Sequence, residues 1–265
     1  MESWLVSIPV EGHPLPENES DYIKCDEVIF HQYNDPCPEY GNRLVASIIV
    51  QGKHDTVKSE AIELIENALT KLIFTSGLAL KLNDNDYYLT PQKESSISQI
   101  PRIDAEAEGF KHRFSKTGNF WYKVGEDDTK SILSKIELLK PENQENFNTA
   151  LKHYRVAICS LNPFQAIEAY FACITILTKE ILNIEKKVKK PHIRKALKEN
   201  LIRIPKDFDR DFDTYWDKDR MTAAHGSLDI LDPVQMEEAQ KHALNLKQWT
   251  RQFLINYLNN NQINI

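Results

Sequence analysis

From Pro141 onward the apolar residues recur at three- and four-residue intervals for more than a hundred positions, and this sustained helical period limits the fold more than any other feature of the chain. PENQENF opens the pattern, with Pro141 and Glu142 suited to a first helical turn. One stripe is Phe147, Ala150, Leu151, Tyr154, Ala157, Ile158 and Leu161, after which Asn162-Pro163 punctuates the chain. A second stripe runs through Phe164, Ile167, Phe171, Ile174, Leu177, Ile181 and Ile184. The lysine-rich connector KKVKKPHIRKALKENL follows, read as a loop at Pro191 leading into a short helix. A third long helix is expected from about Asp207, with Phe208, Phe212, Tyr215, Trp216 and Ala223 inward and Gly226 ending it. The last starts at an Asp232 cap with Pro233 and Gln235 behind it, and carries Met236, Ala239, Ala243, Leu246, Trp249, Phe253 and Tyr257. Four long amphipathic helices with short connections predict a helical bundle over residues 141 to 260.

The first 140 residues read differently. WLVSIPV (4 to 10), EVIFHQY (27 to 33) and RLVASIIVQ (43 to 51) are β-branched and aromatic runs bounded by Pro, Gly, Asn or Asp, and are expected as strands. Val57, Ala61, Leu64, Ile65, Ala68, Leu69, Leu72 and Ile73 mark one amphipathic helix that Gly77 ends. LALKL (78 to 82) and YYLT (87 to 90) follow as strands around an NDND turn, which predicts an α+β domain. Residues 91 to 140 are polar and weakly patterned, with FKHRFS and NFWYKV as short strands. The expected organisation is an α+β domain over 1 to 140, then the bundle.

A chain of 265 residues suits two cores, and its 41% hydrophobic and 27% charged residues are ordinary for a water-soluble protein. No run approaches the ~18 apolar residues a membrane span needs. MESWLVSIPVEG lacks the pattern of a secretory signal, so the expected location is cytoplasmic, without membrane partners. Cys25, Cys37, Cys159 and Cys173 form no C-x-x-C pair and are read as reduced thiols. Cys25, His31 and Cys37 lack the closely spaced ligand pairs of a structural zinc site, so no metal is expected there. The net charge of −6 argues against nonspecific coating of nucleic acid, while leaving room for a local basic surface.

RMTAAHGSLDI (220 to 230) carries the candidate chemistry. Arg220 and His225 are five positions apart, a step that rotates about 140° and rises about 7.5 Å on a regular helix. A single helix therefore cannot aim both side chains at one point. Either the pair is an accident of two surface positions, or a helix end and a second copy of the chain complete a site that neither copy holds alone.

The succession of a helix ending in HYRVAICSLNPF, the apolar helix QAIEAYFACITILTKEIL, and a helix ending in RMTAAHG resembles the HEPN domain, and more narrowly its Apea-like branch. The resemblance covers roughly residues 141 to 260. It rests on Arg220 and His225 in Arg-x-x-x-x-His, on Gly226 after the histidine, and on Tyr154-Arg155 through Pro163. It implies a metal-independent endoribonuclease without cofactor, acting on RNA as a homodimer whose copies present the Arg/His pair to one cleft, in phage defence or a toxin system. Histidine suits proton transfer because its ordinary pKa, about 6.5, lies near working pH. Arginine suits the crowded phosphate because its planar fork stays charged and donates two hydrogen bonds.

Supporting residues follow from position. Glu168 on the second helix is a candidate to orient Arg220 across the bundle, a role the resemblance implies. Asp217 is a candidate to pair with Arg220 at i, i+3 within an aspartate run from Asp207 to Asp219 that otherwise reads as a solvated face. Lys186, Lys187, Lys189, Lys190, Arg194, Lys195 and Lys198 form the dense basic patch, and the first five are the candidate surface for an RNA backbone. The N-terminal domain is expected to sense a protein or ligand trigger. The alternative reading is a HEPN-fold protein without catalysis, which binds a nucleotide or serves dimerisation and interaction.

Overall fold

The computed structural model describes residues 2–11, 22–34, 42–85, 87–92, 126–220 and 233–262. The chain divides into two compact units, Met1–Lys130 and Ser131–Ile265.

The first unit is a six-stranded antiparallel sheet with one helix against it. Its strands are β1 (Glu2–Glu11), β2 (Tyr22–Cys25), β3 (Val28–Asn34), β4 (Asn42–Gly52), β5 (Lys81–Leu82) and β6 (Tyr88–Gln92), in the order β2-β3-β4-β1-β5, with β6 also pairing along β1. The helix is α1 (His54–Ser76). Cys25 Sγ donates to the Ala68 carbonyl of α1, which turns that side of the sheet toward the helix. Because side chains alternate along a strand, the register partners Cys25 and Val28, then Phe30, Ala46 and Ile8, share that face. All five are buried there. Asp26 and Glu27 turn β2 into β3, and Lys71 of α1 holds the turn through a 2.7 Å ion pair to Asp26. Gly77 ends α1 in the left-handed region (φ 69°), where its N–H donates to the Ile73 carbonyl.

Two elements differ from the sequence expectation. LALKL contributes only the two residues of β5, and β2 is a strand that the period did not reveal. A zinc reading of Cys25 and His31 fails on register, because the two residues point to opposite faces of the sheet. His31 Nε2 instead lies 2.8 Å from Ser47 Oγ. Cys37, FKHRFS and NFWYKV lie outside the described residues.

The second unit is a helical bundle. Its elements are α2 (Glu126–Glu137, which begins in the first unit), α3 (Pro141–Cys159), α4 (Pro163–Ile181), α5 (Lys190–Asn200), α6 (Phe208–Thr214), a π-helical turn (Tyr215–Asp219) and α7 (Pro233–Asn260). None of the described helices is long and apolar enough to cross a membrane. Helix α4 is central, packing against α3, α5 and α7. Its start is fixed by Asn162, whose Oδ1 accepts from the N–H groups of Phe164 (2.9 Å) and Gln165 (3.3 Å), with Pro163 in the first turn. Tyr154, Phe171, Phe212, Tyr215, Phe253 and Tyr257 are large side chains buried almost completely. Phe147 stacks on Tyr257 at 5.7 Å, joining α3 to α7.

The sequence-predicted stripes hold over most of their length and fail at the ends. Leu161 is fully exposed because α3 stops at Cys159 and residues 160 to 162 form the turn that caps α4. Ile184 lies beyond the end of α4. Pro191 falls inside the first turn of α5 rather than in a loop. Helix α2 occupies part of the stretch read as unpatterned, with Ile132 and Ile136 one turn apart along its inner side and the buried Leu139 just beyond its end.

Candidate functional site

Helix α6 and the π turn carry two kinds of carboxylate. Asp209, Asp213 and Asp217 recur every four residues and lie along one face. On α5 the spacing of Lys190, Arg194 and Lys198 is the same. The helices run so that the rows meet. Lys190 Nζ bridges Asp213 (2.6 Å) and Asp217, Arg194 bonds Asp213, and Lys198 Nζ reaches Asp209 (2.7 Å). Under the row, the Arg194 guanidinium lies 5.0 Å from the centroid of Phe212, and Lys198 Nζ 5.7 Å from that of Phe208. The hydrogen bond from Lys190 holds the Asp213 carboxyl below its ordinary value, against an opposing effect of burial and with help from the Arg194 charge. For Lys190, burial works against the charge, but the hydrogen bonds to Asp213 and Asp217 outweigh it and raise its pKa.

The aspartate run is thus an exposed face, as expected, whose carboxylates are also paired with cations. Asp217 engages Lys190 instead of Arg220. Lys190 and Arg194, expected to hold an RNA backbone, are occupied by aspartates. Lys186, Lys187 and Lys189 lie exposed in the segment between α4 and α5.

The third helix changes character at Tyr215. The Arg220 N–H donates to the Tyr215 carbonyl five residues back, a π-helical bond. In this turn Trp216 faces α4, where its ring meets Phe171 edge-on at 5.0 Å. The Arg220 guanidinium stacks over Trp216, with Cζ 4.4 Å from the ring centroid. Its Nε is buried and has no hydrogen-bond partner among the described residues. Glu168 is half-buried one turn before Phe171 on α4 and makes no ion pair with Arg220, whose cation is held by the Trp216 ring. His225 and Gly226 lie outside the described residues, as does Asp232.

Asp219 and Tyr215 face α7. Asp219 is buried, only 2% exposed, and its Oδ2 lies 2.7 Å from Nδ1 of His242. Tyr215 packs against the imidazole at 4.6 Å, and Asn245 donates to the Tyr215 hydroxyl at 2.9 Å. Burial pushes the Asp219 carboxyl up, and the hydrogen bond from His242 opposes this only in part. At the rim of this contact Lys218 pairs with Glu238 at 3.3 Å.

No spacing rule finds the Asp219–His242 pair, because its members are 23 residues apart and meet through the packing of two helices. One signal was present. Asp219 continues the inward series Phe212 and Tyr215 at three- and four-residue steps, so an acid occupies a position the period reserves for the core.

A scan against protein-family models finds no match to this chain, and comparisons with curated proteins and with solved structures find none either.

Proposed function

We propose that the C-terminal unit is a metal-independent endoribonuclease of the HEPN type, working as a homodimer in which Arg220 binds the transition-state phosphate and His225 transfers a proton. The state of Arg220 carries this reading. Its guanidinium is oriented by an aromatic ring, unlike Lys190, Arg194 and Lys198, which are paired with carboxylates. A planar cation held by stacking is not neutralised by a carboxylate among the described residues, and its orientation is fixed before a phosphate arrives. The N-terminal sheet unit then serves to sense a protein or ligand trigger, and the setting is phage defence or a toxin system.

Purified protein is expected to cleave RNA in EDTA. His225→Ala should abolish cleavage with an unchanged circular dichroism spectrum, and Arg220→Ala should reduce it by about a hundredfold, the scale of one lost transition-state donor. Undiminished cleavage by His225→Ala overturns the assignment.

One observation favours a second reading, a non-catalytic bundle of the same type that binds a nucleotide or mediates interaction. The aspartates on α6 and the π turn cover the basic row of α5 that RNA would need. Nucleotide binding with no RNA breakdown at any salt concentration supports it.

A further inference from the structure

Phe208, Phe212, Trp216 and Arg220 follow one another at four-residue steps, which sets them along one face of the segment running from α6 into the π turn. Their side chains form a column. Phe208 stacks on Phe212 at 5.9 Å, Phe212 stacks on Trp216 at 6.1 Å, and the Arg220 guanidinium closes the column 4.4 Å from the Trp216 centroid. Phe171 of α4 meets both Phe212 and Trp216 edge-on and holds the two rings from behind.

The cations of α5 lie on the same column. Lys198 sits over Phe208 and pairs with Asp209, the next residue, and Arg194 sits over Phe212 and pairs with Asp213. Lys190 then bridges Asp213 and Asp217, the residue after Trp216. The order along the segment is therefore Lys198, Arg194, Lys190 and Arg220. Arg194 and Arg220 are joined through two rings by contacts of 5.0, 6.1 and 4.4 Å, so the four cations stand in one file. Along α5 the file advances about 6 Å per cation, close to the step between neighbouring phosphates of an extended strand. A groove beside it is lined, among the described residues, by the three α5 cations with Pro191, Lys195 and Glu199.

The partners of the α5 cations are exchangeable. Asp209, Asp213 and Asp217 keep 57%, 44% and 63% of their side-chain surface open to water. Exposed pairs of this kind contribute little, whereas a polyanion that takes the place of the carboxylates also releases its condensed counterions.

We propose that Arg220 and the α5 row of Lys190, Arg194 and Lys198 form one track for successive phosphates of a single RNA strand, which displaces the aspartates from the row. The inference rests on the ribonuclease reading only in placing the cleaved phosphate at Arg220. A single strand fits because the cations stand in single file beside one helical segment.

The test uses the full-length protein and an RNA hexanucleotide with 2′-fluoro at every position, which offers no 2′-hydroxyl for attack. Binding is followed by fluorescence anisotropy across a salt series. Arg220→Gln, Arg194→Gln and Lys190→Gln should each weaken binding severalfold. Arg220→Gln should also lower the log–log salt slope by about 0.7, the single-strand value for one phosphate contact. The two α5 variants should lower it by less, because each also gives up an aspartate pair. Lys241→Gln on α7, with the same change of charge, should leave affinity nearly unchanged. Asp213→Asn should tighten binding severalfold at low salt, a gain that no folding defect imitates. A loss confined to Arg220→Gln removes the track and leaves Arg220 acting alone. Equal losses in Lys241→Gln, an unchanged affinity in Asp213→Asn, or a wild type that ignores the strand at low salt each remove it as well. Binding along the row by a protein that cleaves no RNA in EDTA upholds the track and removes the ribonuclease reading.

Discussion

The segment from Phe208 to Arg220 sets carboxylates against cations on two sides, and the two sides differ in almost everything except the charges. Toward α5, Asp209, Asp213 and Asp217 meet Lys190, Arg194 and Lys198 at the water's edge, with the Asp213 side chain 44% exposed. Toward α7, Asp219 meets His242 with its carboxylate side chain 3% exposed. Exposed pairs are screened by solvent and ions, and each contributes little. A buried carboxylate has given up its hydration, so the one hydrogen bond it keeps decides its state. The difference teaches that the ladder sets how α5 and α6 lie together, while the buried pair fixes the orientation of one imidazole.

The largest effect is expected at the buried pair. Asp219→Ala removes a charge-assisted hydrogen bond and leaves His242 without its partner, which should cost about 2–3 kcal/mol in urea unfolding. Asp213→Ala, on the same segment, should cost no more than about 1 kcal/mol. Equal losses would break the comparison.

Titration should separate the two sides by sign. Asp213 has a folded pKa below its ordinary value of 3.8, so its contribution is present above that value and is lost as pH falls through the folded pKa. Asp219 has a folded pKa above 3.8, so its contribution is present below that value and is lost as pH rises through the folded pKa. The stability advantage of wild type over Asp213→Asn should therefore grow as pH rises through the carboxyl range. Its advantage over Asp219→Asn should shrink over the same range. Parallel slopes in thermal unfolding at matched pH would show that burial does not govern Asp219.

Much of this bundle was legible in the sequence, and the reason is local. The stripes through Phe147 and Tyr154, through Ile167, Phe171 and Ile174, and through Leu246, Trp249 and Phe253 are each fixed by the period of one helix, and all of these residues are buried. Gly77 after α1 and Asn162-Pro163 before α4 marked helix ends because their chemistry is local too. What the sequence did not show depends on contact between elements. Lys190 and Asp213 are 23 residues apart, so the basic and acidic runs each read as solvated until helix packing brought them together. The π turn was hidden because a single change of hydrogen-bond partner leaves no compositional mark. Arg220 was visible as a candidate, but Trp216 rather than Asp217 or Glu168 holds it, since an aromatic face four residues back fits a planar cation.

The smallest effect belongs to salt, and it sharpens the comparison most. Both sides contain an acid paired with a base, but only the ladder is reached by ions from solution. Adding salt should weaken Lys190, Arg194 and Lys198 against their aspartates by a few tenths of a kcal/mol per pair, and leave the Asp219–His242 contact nearly unchanged. Measured as unfolding free energy across a salt series, the difference between wild type and Asp213→Asn should decline toward zero. The difference between wild type and Asp219→Asn should stay flat. The same screening frees the α5 cations, so if they then take up RNA, the loss of ladder energy partly offsets the loss of phosphate contacts in wild type, and RNA affinity should fall more steeply with salt in Asp213→Asn than in wild type. An equal or shallower fall would mean that the aspartates do not compete with phosphates for Lys190 and Arg194, and that the acidic face of α6 serves only to hold α5 in place.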